Sequence, residues 1–316
     1  MILAMPQISV FNVPHEYQLS TPSEMSREGV VFIHGWMLSQ CYWRPVLDGL
    51  GAQFSCLTYD LRGFGKSAIA IGDREVGPEG SLQPILEDDR VSPYSLAAYA
   101  QDLGELLRQL RLERVWLVGH SLGGSIALWA AKLFPQWVQG VICVNAGGGV
   151  YLPAEFQKFR QAGQQIVRWR SPWLKSMPLM DVALTRMMVH APIERAWGKQ
   201  RLVDLLAAHP EAAIGALLDS TTEEEVHRLP QVVASLRQPV YFIAGGNDTV
   251  MAEQYVRHLA SFHWLFDSPE SNVVILPECG HLAMVEQSKA LADQIRQFVE
   301  GSVLVEEFGR SRRRLS

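Results

Sequence analysis

The sequence predicts an α/β protein with a mostly parallel central β-sheet that is flanked by helices on both faces. Short, wholly apolar runs alternate along the chain with amphipathic runs at helical spacing, a pattern typical of parallel strands covered on both faces. Between residues 150 and 236 these runs give way to amphipathic helices broken by prolines. We therefore expect a core of residues 1–149 and 237–300, a helical insertion at 150–236 and a mobile tail at 301–316.

The composition limits the possible functions. A chain of 316 residues that is 48% hydrophobic can bury a large core, as one domain with an insertion or as two domains. The net charge is −5 and no basic face stands out, so nucleic acid is not an expected partner. No apolar stretch is long enough to cross a bilayer. The Arg-rich stretch 310–314 is expected to be a solvated end, with weak contact to an anionic membrane surface as the alternative.

The four cysteines are scattered without paired or zinc-type spacing. Reduced and mostly buried thiols are therefore expected, as in a cytoplasmic protein. The first residues lack the basic region of a signal peptide.

Strand and helix patterns alternate in the first half of the chain. In order, they predict a hairpin at 8–20, a strand at 29–33, a helix at 42–50, a strand at 54–59 and a helix at 96–112. Pro14 is expected at the hairpin turn, and Ser95 is expected to cap the helix that follows it. The polar, acidic stretch 72–93 is interpreted as a long exposed loop, with a flap over the site as the alternative.

The second half begins with a strand at 115–118 and a helix at 125–134. In order, the later predicted elements are a strand at 141–144, insertion helices at 154–170, 178–190, 194–208 and 211–235, a strand at 240–244, a helix at 252–262, a strand at 273–276 and a helix that ends near 299.

Gly119-His120-Ser121-Leu122-Gly123 lies between the strand at 115–118 and the helix that follows it. In that context Gly-x-Ser-x-Gly is a nucleophile elbow, in which a strained turn exposes the serine hydroxyl. Side chains two residues before and two residues after the serine would collide where strand and helix cross, and glycine removes them. Ser121 is therefore the candidate nucleophile.

A serine nucleophile requires a base and an acid that orients the base. His281 follows the last predicted strand and Asp248 follows the strand before it, so both belong at the sheet edge where Ser121 emerges. Asn145 stands where some enzymes of this architecture place the acid, which favours Asp248. Asp60 also ends a strand, but the neighbouring Arg62 suggests a structural turn pair instead.

The oxyanion that forms during attack on a carbonyl must also be stabilised. The backbone N–H of Leu122 is one expected donor, and the N–H of Trp36, in the loop after the strand at 29–33, is the other. His34 is expected to shape that loop without acting as a base. The residues expected in the substrate pocket are Trp36, His120, Trp169, Trp173 and Met187.

One further motif, Gly65-Lys66-Ser67, matches the last three residues of a phosphate-binding loop. The P-loop pattern requires a glycine five positions before Gly65, and Asp60 stands there, which excludes nucleotide binding at this point.

Together these residues resemble the α/β-hydrolase family. The resemblance rests on His34-Gly35-Trp36, the segment 60–67, the elbow 119–124, Gly246-Asn247-Asp248 and Gly280-His281, and it covers about 28–145 and 237–299. It implies that 150–236 is the lid of the family. It also argues against haloalkane dehalogenases and epoxide hydrolases, whose nucleophile is an aspartate.

The resemblance implies a serine hydrolase that cleaves a carboxylic ester of a small to medium apolar molecule and needs no metal or other cofactor. A C–C bond hydrolase, a thioesterase or a cofactor-free perhydrolase with the same triad remain alternatives. A small-molecule receptor with slow turnover is the alternative from another class. The oligomeric state is left open.

Overall fold

The computed structural model describes residues 6–21, 27–68, 92–148, 153–267 and 271–313. Most of the predicted loop at 72–93 lies outside these residues. Eight strands form one sheet in the order β1-β2-β4-β3-β5-β6-β7-β8. The strands are β1 (Gln7–Val10), β2 (Val13–Ser20), β3 (Glu28–Ile33), β4 (Cys56–Tyr59), β5 (Arg114–His120), β6 (Val138–Val144), β7 (Val240–Gly245) and β8 (Val273–Leu276).

The six strands from β4 to β8 in this order are parallel, and β1 and β2 add an antiparallel edge. The expected hairpin is present, but Pro14 does not form its turn. Phe11 and Asn12 do so, with φ of 47° and 63°, while Pro14 lies within β2 opposite Ser9. The turn needs two residues at positive φ, which the fixed negative φ of proline cannot supply.

Helices cover both faces of the sheet, as the sequence predicts. The helices are α1 (Arg44–Leu50), α2 (Leu96–Leu110), α3 (Leu122–Leu133), α4 (Pro153–Trp169), α5 (Met180–Arg186), α6 (Arg195–Ala207), α7 (Pro210–Ser220), α8 (Glu223–Ser235), α9 (Glu253–Ala260), α10 (Ala283–Glu286) and α11 (Ser288–Arg313). Core residues of α1, α10 and α11 pack together on one face of the sheet, and those of α2, α3, α8 and α9 on the other. The sheet is therefore the middle layer of three.

The ends of several helices follow from local chemistry. Ser95 caps α2 as predicted, because its side chain accepts a hydrogen bond from the Ala98 N–H at 3.2 Å. One helix was predicted over 211–235, but α7 and α8 are separate, and the Thr222 hydroxyl caps the start of α8. Pro230 lies inside α8 and does not end it. The last helix continues beyond the predicted end near 299, to Arg313.

Helices α4–α8 connect β6 to β7, and the described residues between 153 and 235, called the helical segment below, contain no strand. This segment follows the C-terminal end of β6, and its far end leads back to the N-terminal end of the parallel strand β7. It therefore lies at the edge of the sheet where loops of α/β folds carry their functional side chains. In the described parts of the chain, no helix is long and apolar enough to span a membrane.

Candidate active site

Ser121 occupies a tight turn between β5 and α3. Its backbone has φ 52° and ψ −119°, a conformation that residues other than glycine rarely adopt. A Cβ atom on Gly119 would lie 2.2 Å from the Gly123 carbonyl oxygen, and one on Gly123 would lie 2.4 Å from the Ile33 carbonyl oxygen. Both glycines are thus required by close backbone approach, which is the geometry of a nucleophile elbow.

Asp248 and His281 meet at the same edge of the sheet. Nδ1 of His281 donates a hydrogen bond to Oδ2 of Asp248 at 2.7 Å, and both residues are buried. Oδ1 of Asp248 accepts hydrogen bonds from the N–H groups of Val250 (2.8 Å) and Met251 (2.9 Å). Burial alone would raise the pKa of this carboxyl, but the His281 charge and these hydrogen bonds hold it below the usual value. Asp248 is therefore an ionised group that fixes the His281 ring.

Asn145 is a site residue that the sequence reasoning did not identify. Its Nδ2 donates to Oδ2 of Asp248 at 2.7 Å and to the Gly280 carbonyl at 2.9 Å. The residue is fully buried and has a φ of 49°. It joins the acid to the loop that carries His281. The only signal in the sequence is the position of Asn145 directly after a buried strand, where some enzymes of this architecture carry the acid.

Ser121 and His281 line one cavity of about 350 Å³. Trp36, His120 and Met187 line it too. Trp169 and Trp173 are not among the lining residues, and their side chains are 75% and 56% exposed. The structure therefore does not bring these two exposed tryptophans to the wall of this cavity.

No hydrogen bond joins the Ser121 hydroxyl to His281 within the residues that the structure describes. The orientation of His281 still leaves Nε2 as the acceptor, since Nδ1 donates to Asp248. Contacts between nucleophile and base are often loose before substrate binds. The arrangement is chemically able to remove a proton from a hydroxyl in the shared cavity.

His120 is held as a neutral donor beside His281. Its Nε2–H donates to the His281 carbonyl at 2.8 Å, and the two rings lie 4.7 Å apart. Burial, reinforced by the nearby His281, places the pKa of His120 well below its usual value. His120 therefore positions the His281 backbone and stays uncharged.

The expected oxyanion donors flank the cavity. Leu122 is the first residue of α3, so its N–H has no partner inside the helix. Trp36 lies in the loop after β3, and among the described residues its N–H has no hydrogen-bond partner either. His34 shapes this loop as expected: its Nδ1–H donates to the Gly35 carbonyl, and its Nε2 accepts from the Leu61 N–H at 2.9 Å.

Three hydrogen bonds connect the helical segment to residues 36–39, called the oxyanion loop below. The Trp36 indole donates to the Ala213 carbonyl at 2.8 Å, Arg201 donates to the Met37 carbonyl at 2.5 Å and the Ser39 hydroxyl donates to Asp204 at 3.1 Å. The segment also reaches the histidine loop, where the His281 N–H donates to the Met188 carbonyl at 2.7 Å. Elements on both sides of Ser121 are therefore braced by the helical segment.

Asp60 and Asp204 are buried carboxylates near this loop. Asp60 accepts hydrogen bonds from the backbone N–H groups of Gln40 and Lys66, so it is structural as expected. Its predicted pairing with Arg62 is wrong, because Arg62 pairs with Asp102 of α2 at 3.1 Å. Burial raises the pKa of Asp204 to about 7.

Comparison with known proteins agrees with this architecture. A family model for the alpha/beta hydrolase fold matches residues 29–288. The chain is similar to an uncharacterised protein of Mycobacterium tuberculosis, with 27% identity over 93% of this chain and 82% of that protein.

Two solved structures have a similar fold. A thermophilic esterase from Thermogutta terrifontis superposes with a TM-score of 0.67, at 19% identity over 94% of this chain and 98% of that one. A bromoperoxidase from Bacillus anthracis gives a TM-score of 0.70, at 18% identity over 94% of this chain and all of that one. At these identities the two structures establish the fold alone.

Proposed function

Because the chain belongs to the alpha/beta hydrolase fold family, we propose that it is a serine hydrolase that cleaves a carboxylic ester of a small to medium apolar molecule. Ser121 is the nucleophile in this proposal, His281 the general base and Asp248 the acid that orients it. The backbone N–H groups of Trp36 and Leu122 form the oxyanion hole.

One observation carries the proposal. The Asp248–His281 hydrogen bond of 2.7 Å fixes a histidine whose Nε2 is free to accept a proton, and this histidine lines the same cavity as Ser121. A strained serine, a buried carboxylate and a histidine, in that chain order, are what nucleophilic attack by a hydroxyl needs in this architecture.

The mechanism follows from these roles. The Ser121 hydroxyl attacks the substrate carbonyl while His281 takes its proton, and the negative charge that develops on the carbonyl oxygen is stabilised by the two N–H donors. His281, now an imidazolium beside Asp248, gives the proton to the departing alcohol, which leaves an acyl-enzyme. Water activated by His281 then attacks the acyl carbonyl, and the acid leaves with Ser121 restored.

The cavity wall supports an apolar substrate. Its lining includes Leu122, Phe159, Leu184, Leu205 and Leu217, together with methionines 187, 188 and 251. Apolar side chains of this kind favour hydrocarbon over polar groups. Several come from the helical segment, which supports the proposal that residues 150–236 are a lid over a core formed by 1–149 and 237–300.

We also propose where the protein acts and what it binds. The four cysteines are free thiols, and all but Cys41 are buried, which supports a cytoplasmic location. The proposed partner is a small molecule and not nucleic acid. The proposed reaction involves no integral membrane segment.

The test is hydrolysis of 4-nitrophenyl esters from acetate to dodecanoate by the Ser121→Ala variant. We expect turnover to fall by about 10³-fold or more, because the nucleophile is lost. Ser125→Ala is the matched control, since Ser125 lies one turn further along α3 and also lines the cavity. A fluorophosphonate should label wild type and Ser125→Ala, but not Ser121→Ala. Hydrolysis at the wild-type rate by Ser121→Ala would refute the assignment.

A further inference from the structure

Among the described residues that line the cavity, Arg201 of α6 is the only one of the types Lys, Arg, Asp and Glu. The rest of the lining is mainly aliphatic and aromatic. The Arg201 side chain is nearly buried, at 7% exposed. A guanidinium stays charged in proteins and is unfavourable in an apolar wall unless an anion compensates it.

The hydrogen bonding of Arg201 within the described residues does not compensate the positive charge of its guanidinium. A guanidinium carries five N–H donors. One of its nitrogens, Nη1, donates to the Met37 carbonyl, and in the described part of the chain Arg201 has no other hydrogen bond and no ion pair. Asp204, three residues further along α6, instead accepts hydrogen bonds from Ser39 and Gln200. The Arg201 charge acts on Asp204 at longer range and partly offsets the effect of burial on the pKa of that carboxyl. Among the described residues, no carboxylate lies within ion-pair distance of Arg201, which therefore presents a buried positive charge to the cavity.

We propose that Arg201 is an anion-binding subsite and that the substrate carries a carboxylate which pairs with its guanidinium. This inference rests on the proposed hydrolase function and specifies its substrate class: an ester with an apolar body and a carboxylate group. The planar fork of a guanidinium matches the two oxygens of a carboxylate. A single cation also balances a monoanion, whereas a phosphate monoester would leave a second charge unpaired in the apolar cavity.

A purely structural role is the competing explanation. Arg201 holds the Met37 carbonyl, and Met37 has a φ of 53° in the oxyanion loop. If this were its whole role, its loss would affect every ester equally through the position of the Trp36 N–H. An anion subsite affects only esters that carry a negative charge, so the two explanations predict different selectivity.

The experiment compares matched ester pairs that differ by one carboxylate. On the acyl side the pair is mono-4-nitrophenyl adipate and 4-nitrophenyl hexanoate, and on the alcohol side it is 6-acetoxyhexanoate and hexyl acetate. We expect wild type to prefer the anionic member of at least one pair in kcat/KM. Arg201→Met should reduce kcat/KM for that ester by about 10- to 100-fold more than for its neutral match, and Arg201→Lys should restore part of the preference.

Lys199→Met is the matched control, since Lys199 is an exposed cation of the same helix outside the cavity. This variant should keep the wild-type preference. Equal losses on both members of each pair in Arg201→Met, or no preference for the anionic ester in wild type, would overturn the proposal.

Binding separates this proposal from the hydrolase function. In Ser121→Ala, the melting temperature should rise with monomethyl suberate more than with methyl octanoate, and addition of Arg201→Met should abolish the difference. This measurement needs no turnover. A protein that hydrolyses no ester but shows this difference retains the anion subsite and refutes the esterase. A protein that hydrolyses neutral esters and shows no difference in binding or rate retains the esterase and refutes the subsite.

Discussion

Oδ2 of Asp248 receives two hydrogen bonds of equal length, one from Nδ1 of His281 and one from Nδ2 of Asn145, each at 2.7 Å. The Asp248 carboxylate is thereby fixed from both sides, because Asn145 directly follows β6 and His281 lies in the loop after β8. The orientation of the His281 ring depends on this shared oxygen.

Replacing Asp248 by Asn is expected to lower kcat by about 10³- to 10⁴-fold with little change in KM. The amide cannot stabilise an imidazolium, and it favours the tautomer of His281 that carries its proton on Nε2. The measurement is steady-state hydrolysis of a 4-nitrophenyl ester, with circular dichroism to establish folding. A folded variant with wild-type kcat would remove Asp248 from the mechanism.

Asn145→Ala should reduce kcat by about tenfold, the effect of one hydrogen bond to a charged group. KM should hardly change, because Asn145 is not among the residues that line the cavity. Asn272→Ala is the matched control: this buried amide donates to the Val240 carbonyl, away from the site. It should lower stability but keep kcat. If both variants had the same kcat, Asn145 would be structural only.

Gly119→Ala should destabilise the fold by about 3 kcal/mol or more, because the new Cβ would meet backbone atoms of Gly123 that cannot rotate away. Gly301→Ala is the control, since a Cβ there meets nothing within 4 Å and Gly301 lies within α11. It should be neutral or stabilising by up to about 1 kcal/mol. Urea denaturation gives both values, and a Gly119→Ala protein as stable as wild type would contradict the described turn.

Asp204 is expected to make stability depend on pH. Its carboxyl ionises near pH 4 in the unfolded chain, but its pKa is about 7 in the folded protein. The folded state therefore binds the extra proton between these values, and the free energy of unfolding falls as the pH rises through this window. The Asp204→Asn variant lacks this loss, so relative to wild type it should gain about 1–3 kcal/mol between pH 4 and pH 8.

Urea denaturation at several pH values measures this effect. Asp293→Asn, which replaces an exposed carboxyl, should run parallel to wild type over the same range. A difference between Asp204→Asn and wild type that does not vary with pH would show that Asp204 is already ionised at pH 4.

The fold and the positions of Ser121, Asp248 and His281 followed from local patterns. A wholly apolar run predicts a buried strand, and residues directly after parallel strands meet at one edge of the sheet. The nucleophile elbow is also local, since its strand, turn and helix are contiguous in sequence.

What the sequence could not supply depends on contacts between distant segments. An amphipathic pattern identifies the apolar face of a helix but not what covers it, so Trp169 and Trp173 were assigned to the cavity that they do not line. Asn145 and Arg201 are ordinary polar residues in sequence. They become notable only when the fold places one against Asp248 and the other in an apolar wall.

The bracing of the oxyanion loop and the histidine loop has a consequence for engineering. Trp36, Met37 and Ser39 each bond to a different residue of the helical segment, and the His281 N–H bonds to Met188. A chimaera that receives this segment from another family member would gain the cavity-lining residues of that protein. It would lose these four hydrogen bonds at the same time. A transplant of the helical segment therefore has to include the residues of the oxyanion loop and the histidine loop that bond to it.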